Sequence, residues 1–254
     1  FIIGAIVGIQ VSEMPINQIS VFYFFLIPAS IIFAWLFSVI TNNIVDYEID
    51  KISNKQRPLI KYKFEQRTYW KIAWLFLFIS LFFAFVVDLQ AFLFISIFIA
   101  SYFIYSMPPI RFKRVTFFSK FAIGLNSLLM VLLGYSLFRG SILDFPSSAI
   151  LFFLVGFTMT ANFLDIKDYK GDKKAGIKTI PVVLGLKKSK ILIGLFFFLT
   201  YISIYFVIPD LFIFIAFLIL GLFQFYLINM EKYNEKLVFV VLLFSMLLLI
   251  AILI

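Results

Sequence analysis

Residues 21–59 read VFYFFLIPASIIFAWLFSVITNNIVDYEIDKISNKQRPL, and the change of character near residue 41 decides the fold. From Ile19 to Thr41 no residue is charged. At ~1.5 Å rise per residue, a helix over that part crosses the ~30 Å hydrocarbon core of a bilayer. Its polar end then presents Asn42, Asp46 and Asp50 at spacing i, i+4, i+8. On a helix of ~100° per residue these three positions drift by only ~80°, so one amide and two carboxylates share a face.

The pattern of apolar run and polar break recurs along the chain. Apolar segments lie at about 1–12, 19–41, 68–87, 90–107, 118–138, 147–164, 190–208, 211–229 and 236–254. The 254 residues are 63% hydrophobic and 14% charged, with a mean hydropathy of +1.09. A soluble domain is ~45–50% apolar and ~25% charged, so lipid is the expected solvent. The expected fold is one all-α, polytopic transmembrane domain over residues 1–254, with about nine helices. The opening run Phe1 to Ile9 is too short to cross a bilayer, which suggests that residues precede it. Segments three and four are parted only by Asp88 and Gln90, yet together they are too long for one crossing, so a turn is expected there.

Charge orients the bundle. The connections after segments two, four, six and eight carry 21 of the 22 Lys and Arg residues. The opposite connections hold Arg139 alone among basic residues, with Glu13, Asp88, Asp144 and Asp210. By the positive-inside tendency the basic connections are cytoplasmic, and Ile254 ends outside. The net charge of +9 is thus mainly topological, and no basic surface has room to dock nucleic acid.

A second acidic set, Asp165, Asp168 and Asp172, lies in ANFLDIKDYKGDKKAGIKTIPVVLG at spacing i, i+3, i+7. If the sixth helix continues through it, these three also share a face. Gly171 and Gly176 weaken that helix, and a loop is the alternative for Asp172. Both acidic sets fall on the basic side, where they can converge across a cavity. Like charges at such spacings repel, and a helix gathers them only with a counter-ion. The chain has no His and no Cys, which excludes imidazole bases, thiolate chemistry and the usual zinc or haem ligands. Five carboxylates make a hard oxygen site, suited to Mg²⁺ shared with a phosphate ligand. Arg57, Lys113, Lys173 and Lys174 are placed to neutralise further phosphate oxygens. Acidic residues at helix ends are often merely solvated; two same-face triads on one side make that explanation weaker here.

At these residues the sequence resembles the UbiA superfamily of intramembrane prenyltransferases. Asn42-x3-Asp46-x3-Asp50 followed by Arg57-Pro58-Leu59 is similar to the family's NDxxDxxxD motif with its Arg-Pro, although Asn43 stands where many members have Asp. Asp165-x2-Asp168-x3-Asp172-Lys173, with Gly176, Thr179, Pro181 and Gly185, resembles the DxxDxxxD form with a GxxTxP tail. Tyr105-Ser-Met-Pro-Pro-Ile-Arg-Phe-Lys113 is similar to the YSxPPxRxK segment. The second motif is most similar to the branch of digeranylgeranylglyceryl phosphate synthases and homogentisate and chlorophyll prenyltransferases.

The resemblance implies a helical bundle around a central cavity open to the membrane. It implies two Mg²⁺ ions bridging a polyprenyl pyrophosphate, geranylgeranyl by preference, to Asn42, Asp46 and Asp50 on one side and Asp165, Asp168 and Asp172 on the other. Arg57 and Lys113 match positions that grip pyrophosphate oxygens. Asn126 can bond the pyrophosphate or a neighbouring helix backbone, and Tyr105 can line the site or mark the interface. The acceptor is lipophilic: an aromatic quinone precursor, a chlorophyll-type ring or a glycerol-phosphate lipid. The expected chemistry is ionisation to an allylic carbocation, shielded from water by Phe and Ile, with Asp165 available for the final proton. The competing reading is a non-catalytic carrier or cation transporter, whose carboxylates would be expected nearer the bilayer midplane.

Overall fold

The computed structural model describes residues 1–12, 21–53, 55–139 and 141–254. Glu13 and the start of the second apolar segment lie outside them. The chain divides into two compact units, one of Phe1 with Ile9–Lys113, the other of Ile2–Gly8 with Arg114–Ile254. Among the described residues, eight helices are long and apolar enough to cross a membrane, and the short apolar helix α1 (Ile2–Ser12) makes a ninth. The protein is a multi-pass integral membrane protein. Its helices turn Phe22, Trp74, Phe78, Phe85, Phe212 and Phe244 outward, more than half exposed, as lipid solvent permits and water does not.

The first unit is built on α2 (Val21–Val45), α5 (Gln66–Val87) and α6 (Leu89–Ser106), with two short helices, α3 (Tyr47–Ser53) and α4 (Pro58–Lys61), between the first two. In lipid, apolar burial does not draw helices together, so small residues and buried hydroxyls do that work. Ala34, Ala73 and Ala84 are fully buried. Ser30 Oγ donates to the Ser80 carbonyl at 2.8 Å, and Ser80 Oγ donates to the Ser30 carbonyl at 2.9 Å. Phe33 packs against Phe76 and Phe83. The expected break between the third and fourth segments falls at Asp88, whose extended backbone caps α6 while its carboxylate accepts from the Gln90 N–H.

The second unit contains α7 (Thr116–Arg139), α8 (Ser147–Thr160), α9 (Leu164–Ala175), α10 (Ile180–Leu184), α11 (Leu186–Ile202), α12 (Leu211–Asn229) and α13 (Glu235–Leu253). Its core is aromatic, with Phe163, Phe197, Tyr201 and Phe217 in successive ring contact. Two buried polar groups bond across helices: Tyr201 Oη donates to Ser245 Oγ at 3.1 Å, and Gln224 Nε2 to the Val238 carbonyl at 3.0 Å. The part of α1 in this unit lies backbone to backbone on α7. A Cβ on Gly4 would stand 1.8 Å from the Val131 carbonyl oxygen, so only glycine fits.

Candidate active site

The first acidic cluster forms where α2 gives way to α3. Asp46 is a turn residue, yet the helical rungs carry on through it: its N–H donates to the Asn42 carbonyl at 3.0 Å, and the Asp50 N–H to the Asp46 carbonyl at 2.8 Å. The i, i+4, i+8 face read from the sequence is therefore kept. Asn42 Oδ1 accepts from Ser106 Oγ at 3.1 Å and from Lys113 Nζ at 2.7 Å. Asp46 is gripped on both oxygens, by Arg111 Nη2 at 2.7 Å and Lys113 Nζ at 2.5 Å. Asp50 is buried; its Oδ2 receives no hydrogen bond and has Arg57 Nε at 3.7 Å.

Arg57 is held in turn by Asn43, whose Oδ1 accepts from Nη1 at 2.6 Å. The position that departs from the family pattern thus orients the arginine of the same motif. Arg111 and Lys113 come from the connection that follows α6, where Arg111 has φ +46°. A left-handed backbone at a bulky residue stores of order 1–3 kcal/mol of strain. Here it falls at the residue that holds Asp46. Burial pushes the Asp50 carboxyl above the ordinary carboxylate range, opposed by Arg57. Burial pulls the Lys113 ammonium below its usual range, against the bond to Asp46. Tyr105 lies on α6, half-buried, in edge contact with Tyr102.

The second cluster lies on α9, which continues α8 through a single 3-10 turn at Ala161–Phe163. The helix runs to Ala175 despite Gly171, so Asp172 is helical, and Gly176 ends it at φ +70°. Asp165 is buried, its Oδ1 accepting from Lys120 Nζ of α7 at 2.6 Å, while its Oδ2 has no hydrogen-bond partner. Asp168 is exposed. Asp172 Oδ2 accepts from Thr179 Oγ1 at 3.3 Å. This gives the tail of the motif a physical meaning. Gly176 stops the helix, Thr179 returns to hold Asp172, and Pro181 starts α10. Lys173 stands over the Tyr169 ring at 5.8 Å. Asn126 of α7 is buried with its Oδ1 unmet, so the chain alone does not satisfy its amide.

Among the described residues no three carboxylates form a ready-made cation site; the chain's own cations sit against Asp46, Asp50 and Asp165 instead. The donor set nonetheless fits Mg²⁺. It is all oxygen, and Asp50 and Asp165 each keep one buried oxygen without a hydrogen bond. Sequence reasoning gave Arg111 and Lys120 no role in the site. For Lys120 the signal was present, because a lysine inside the apolar segment 118–138 calls for a partner. Arg111 lies in the quoted 105–113 motif, but nothing local pairs it with Asp46.

The model of the UbiA prenyltransferase family matches residues 1–249. The chain is 32% identical over 162 residues to digeranylgeranylglyceryl phosphate synthase of Pyrococcus horikoshii, covering 64% of this chain and 57% of that one. It is 29% identical over 182 residues to 2-acyl-4-prenylphloroglucinol 6-prenyltransferase of Humulus lupulus, covering 64% of this chain and 42% of the relative. The chain thus spans about half the length of these relatives. A UbiA homologue from Archaeoglobus fulgidus, solved with GPP and Mg²⁺, superposes at a TM-score of 0.75 and 22% identity, over 99% of this chain and 92% of its own. An apo UbiA homologue from Aeropyrum pernix K1 gives 0.74 at 17% identity, over 99% and 94%. At these identities the structural likeness is one of fold.

Proposed function

The chain belongs to the UbiA prenyltransferase family, and from that premise we propose that it is an Mg²⁺-dependent enzyme moving a polyprenyl group, geranylgeranyl by preference, from its pyrophosphate to a lipophilic acceptor. The observation that carries the proposal is the pair of all-oxygen acidic motifs, each with one buried carboxylate, Asp50 and Asp165, that keeps an oxygen without a hydrogen bond. Names of relatives supply the two acceptor classes: a prenylphloroglucinol ring and a glyceryl phosphate. The excess of basic residues on the connections that carry both motifs supports a cytoplasmic location for the reaction.

Asn42, Asp46 and Asp50 would hold one Mg²⁺, and Asp165, Asp168 and Asp172 a second. Bound Mg²⁺ supplies charge that stabilises the departing pyrophosphate. The chain's own groups do the rest. Arg57, Arg111 and Lys113 exchange their carboxylate contacts for pyrophosphate oxygens, their N–H groups donating. Arg111 and Lys113 reach Asp46 from one short connection, so one anionic ligand can recruit both. The allylic C–O bond breaks with its electron pair going to pyrophosphate, and an acceptor carbon or oxygen supplies the pair for the new bond. Asp165 takes the proton that the acceptor loses. Apolar helix walls keep water from the cation in between.

The test is pyrophosphate release from geranylgeranyl pyrophosphate by the protein in lipid, with Mg²⁺, a panel of phenolic and glycerol-phosphate acceptors, and Asp46→Asn as control. Release that needs both metal and one acceptor supports the transferase and selects the acceptor class. Cation binding with no binding of the pyrophosphate donor overturns it in favour of a carrier or cation transporter.

A further inference from the structure

Lys120 is a buried ammonium within the membrane-spanning helix α7, 7% exposed, and it faces a buried carboxylate, Asp165, 8% exposed. A charge in that position is costly unless paired, and each of these groups is the other's partner at 2.6 Å. The pairing is incomplete. Lys120 engages Oδ1, while Oδ2 is buried without a hydrogen bond. Of the other two carboxylates of the motif, Asp172 accepts from the Thr179 hydroxyl and Asp168 is exposed. The buried Oδ2 of Asp165 is therefore open to a second cation.

We propose that Lys120 is a resident counter-ion of the second acidic motif: it holds the place at Asp165 that a divalent cation takes when a pyrophosphate ligand arrives, and it exchanges with that cation. The inference rests on the reading of this motif as a metal site. An ammonium and a divalent cation compete for the same carboxylate, so Lys120 weakens metal binding when no anion is present. Once displaced, a buried ammonium needs a new anionic partner. A pyrophosphate oxygen provides one. Metal and pyrophosphate then bind with positive coupling, and the coupling passes through Lys120. The family motif does not include this lysine; the structure assigns it through its position on α7.

The experiment measures Mn²⁺ binding by the loss of its free electron paramagnetic signal, on purified protein in lipid, without turnover. Inorganic pyrophosphate is the anion. Lys120→Met and Lys120→Gln are compared with the wild type; Gln keeps a hydrogen-bond donor for Asp165 and guards against a variant that does not fold. Both variants are expected to bind Mn²⁺ roughly tenfold more tightly than the wild type in the absence of anion, and to lose most of the tightening that pyrophosphate gives the wild type. Thermal unfolding should shift further upward with Mn²⁺ in the variants than in the wild type. Lys120→Arg, which retains the charge, should behave as the wild type. Equal or weaker Mn²⁺ binding by both neutral variants overturns the counter-ion role while leaving the metal site intact. No Mn²⁺ binding by the wild type, even with pyrophosphate, overturns the metal site itself.

Discussion

The two acidic motifs share a spacing logic but are neutralised in opposite ways. Asp46 takes its cations from outside the spanning helices, from Arg111 and Lys113 on the connection after α6, and Arg57 reaches Asp50 from the loop before α4. Asp165 takes its cation from within a helix, Lys120 of α7. Loop residues can swing to a ligand at little cost to the fold. A lysine on a packed helix can move only its own side chain. Under the proposed function the first motif would deliver positive charge to an anion, and the second would surrender a carboxylate to a cation.

The strongest attack on this contrast is to neutralise each motif. Asp46→Asn and Asp168→Asn should each lower pyrophosphate release by on the order of 10³-fold in a protein that still folds and inserts. Retained turnover in either would remove that motif from the chemistry. Next, Arg111→Ala and Lys113→Ala should each raise the donor KM by about 10- to 100-fold, as lost charged hydrogen bonds do. They should leave Mn²⁺ affinity without anion unchanged or tighter. A loss of metal affinity instead would mean that these cations build the cation site.

A third, smaller effect follows from pH. Burial raises the folded pKa of Asp50, so its contribution to stability is greatest in acid and is lost as pH rises through that value. A bound cation competes with the same proton and has the opposite dependence. Mn²⁺ affinity should therefore weaken as pH falls, starting above the ordinary carboxylate range, and Asp50→Asn should bind less tightly but with a flatter pH profile. The smallest effect is expected at Thr179→Val, which removes the hydroxyl from Asp172. A twofold to tenfold rise in the metal concentration for half-maximal rate would match a single neutral hydrogen bond of about 0.5–1.5 kcal/mol.

Much of this was legible in the sequence because its causes are local. Uncharged runs of spanning length, the single break at Asp88 and the one-sided lysines follow from lipid as solvent. The same-face reading of Asn42, Asp46 and Asp50 needs only helical periodicity. The shortness of α1 was also evident, although not that Gly4 lets it rest on the backbone of α7. What could not be read was partnership. Arg111 and Lys120 meet their carboxylates across long stretches of chain, so no periodicity announces them. The left-handed turn at Arg111 has no signature either, since glycine, the residue that would mark it, is absent there. The role of Asn43 appeared only once Arg57 was placed against it.

The paired serines of α2 and α5 bear on depth. Each hydroxyl donates to the other's carbonyl, so a slip of one helix along the other by one residue breaks both bonds together. Asn42 lies about 18 Å further along α2, at ~1.5 Å per residue, and a slip of one residue displaces it by ~1.5 Å along the helix axis. The Ser30–Ser80 pair therefore works as a vernier. It sets the height of the first carboxylates on α2 against α5, and under the proposed function that height would decide how much of a prenyl chain lies beneath the bond that breaks.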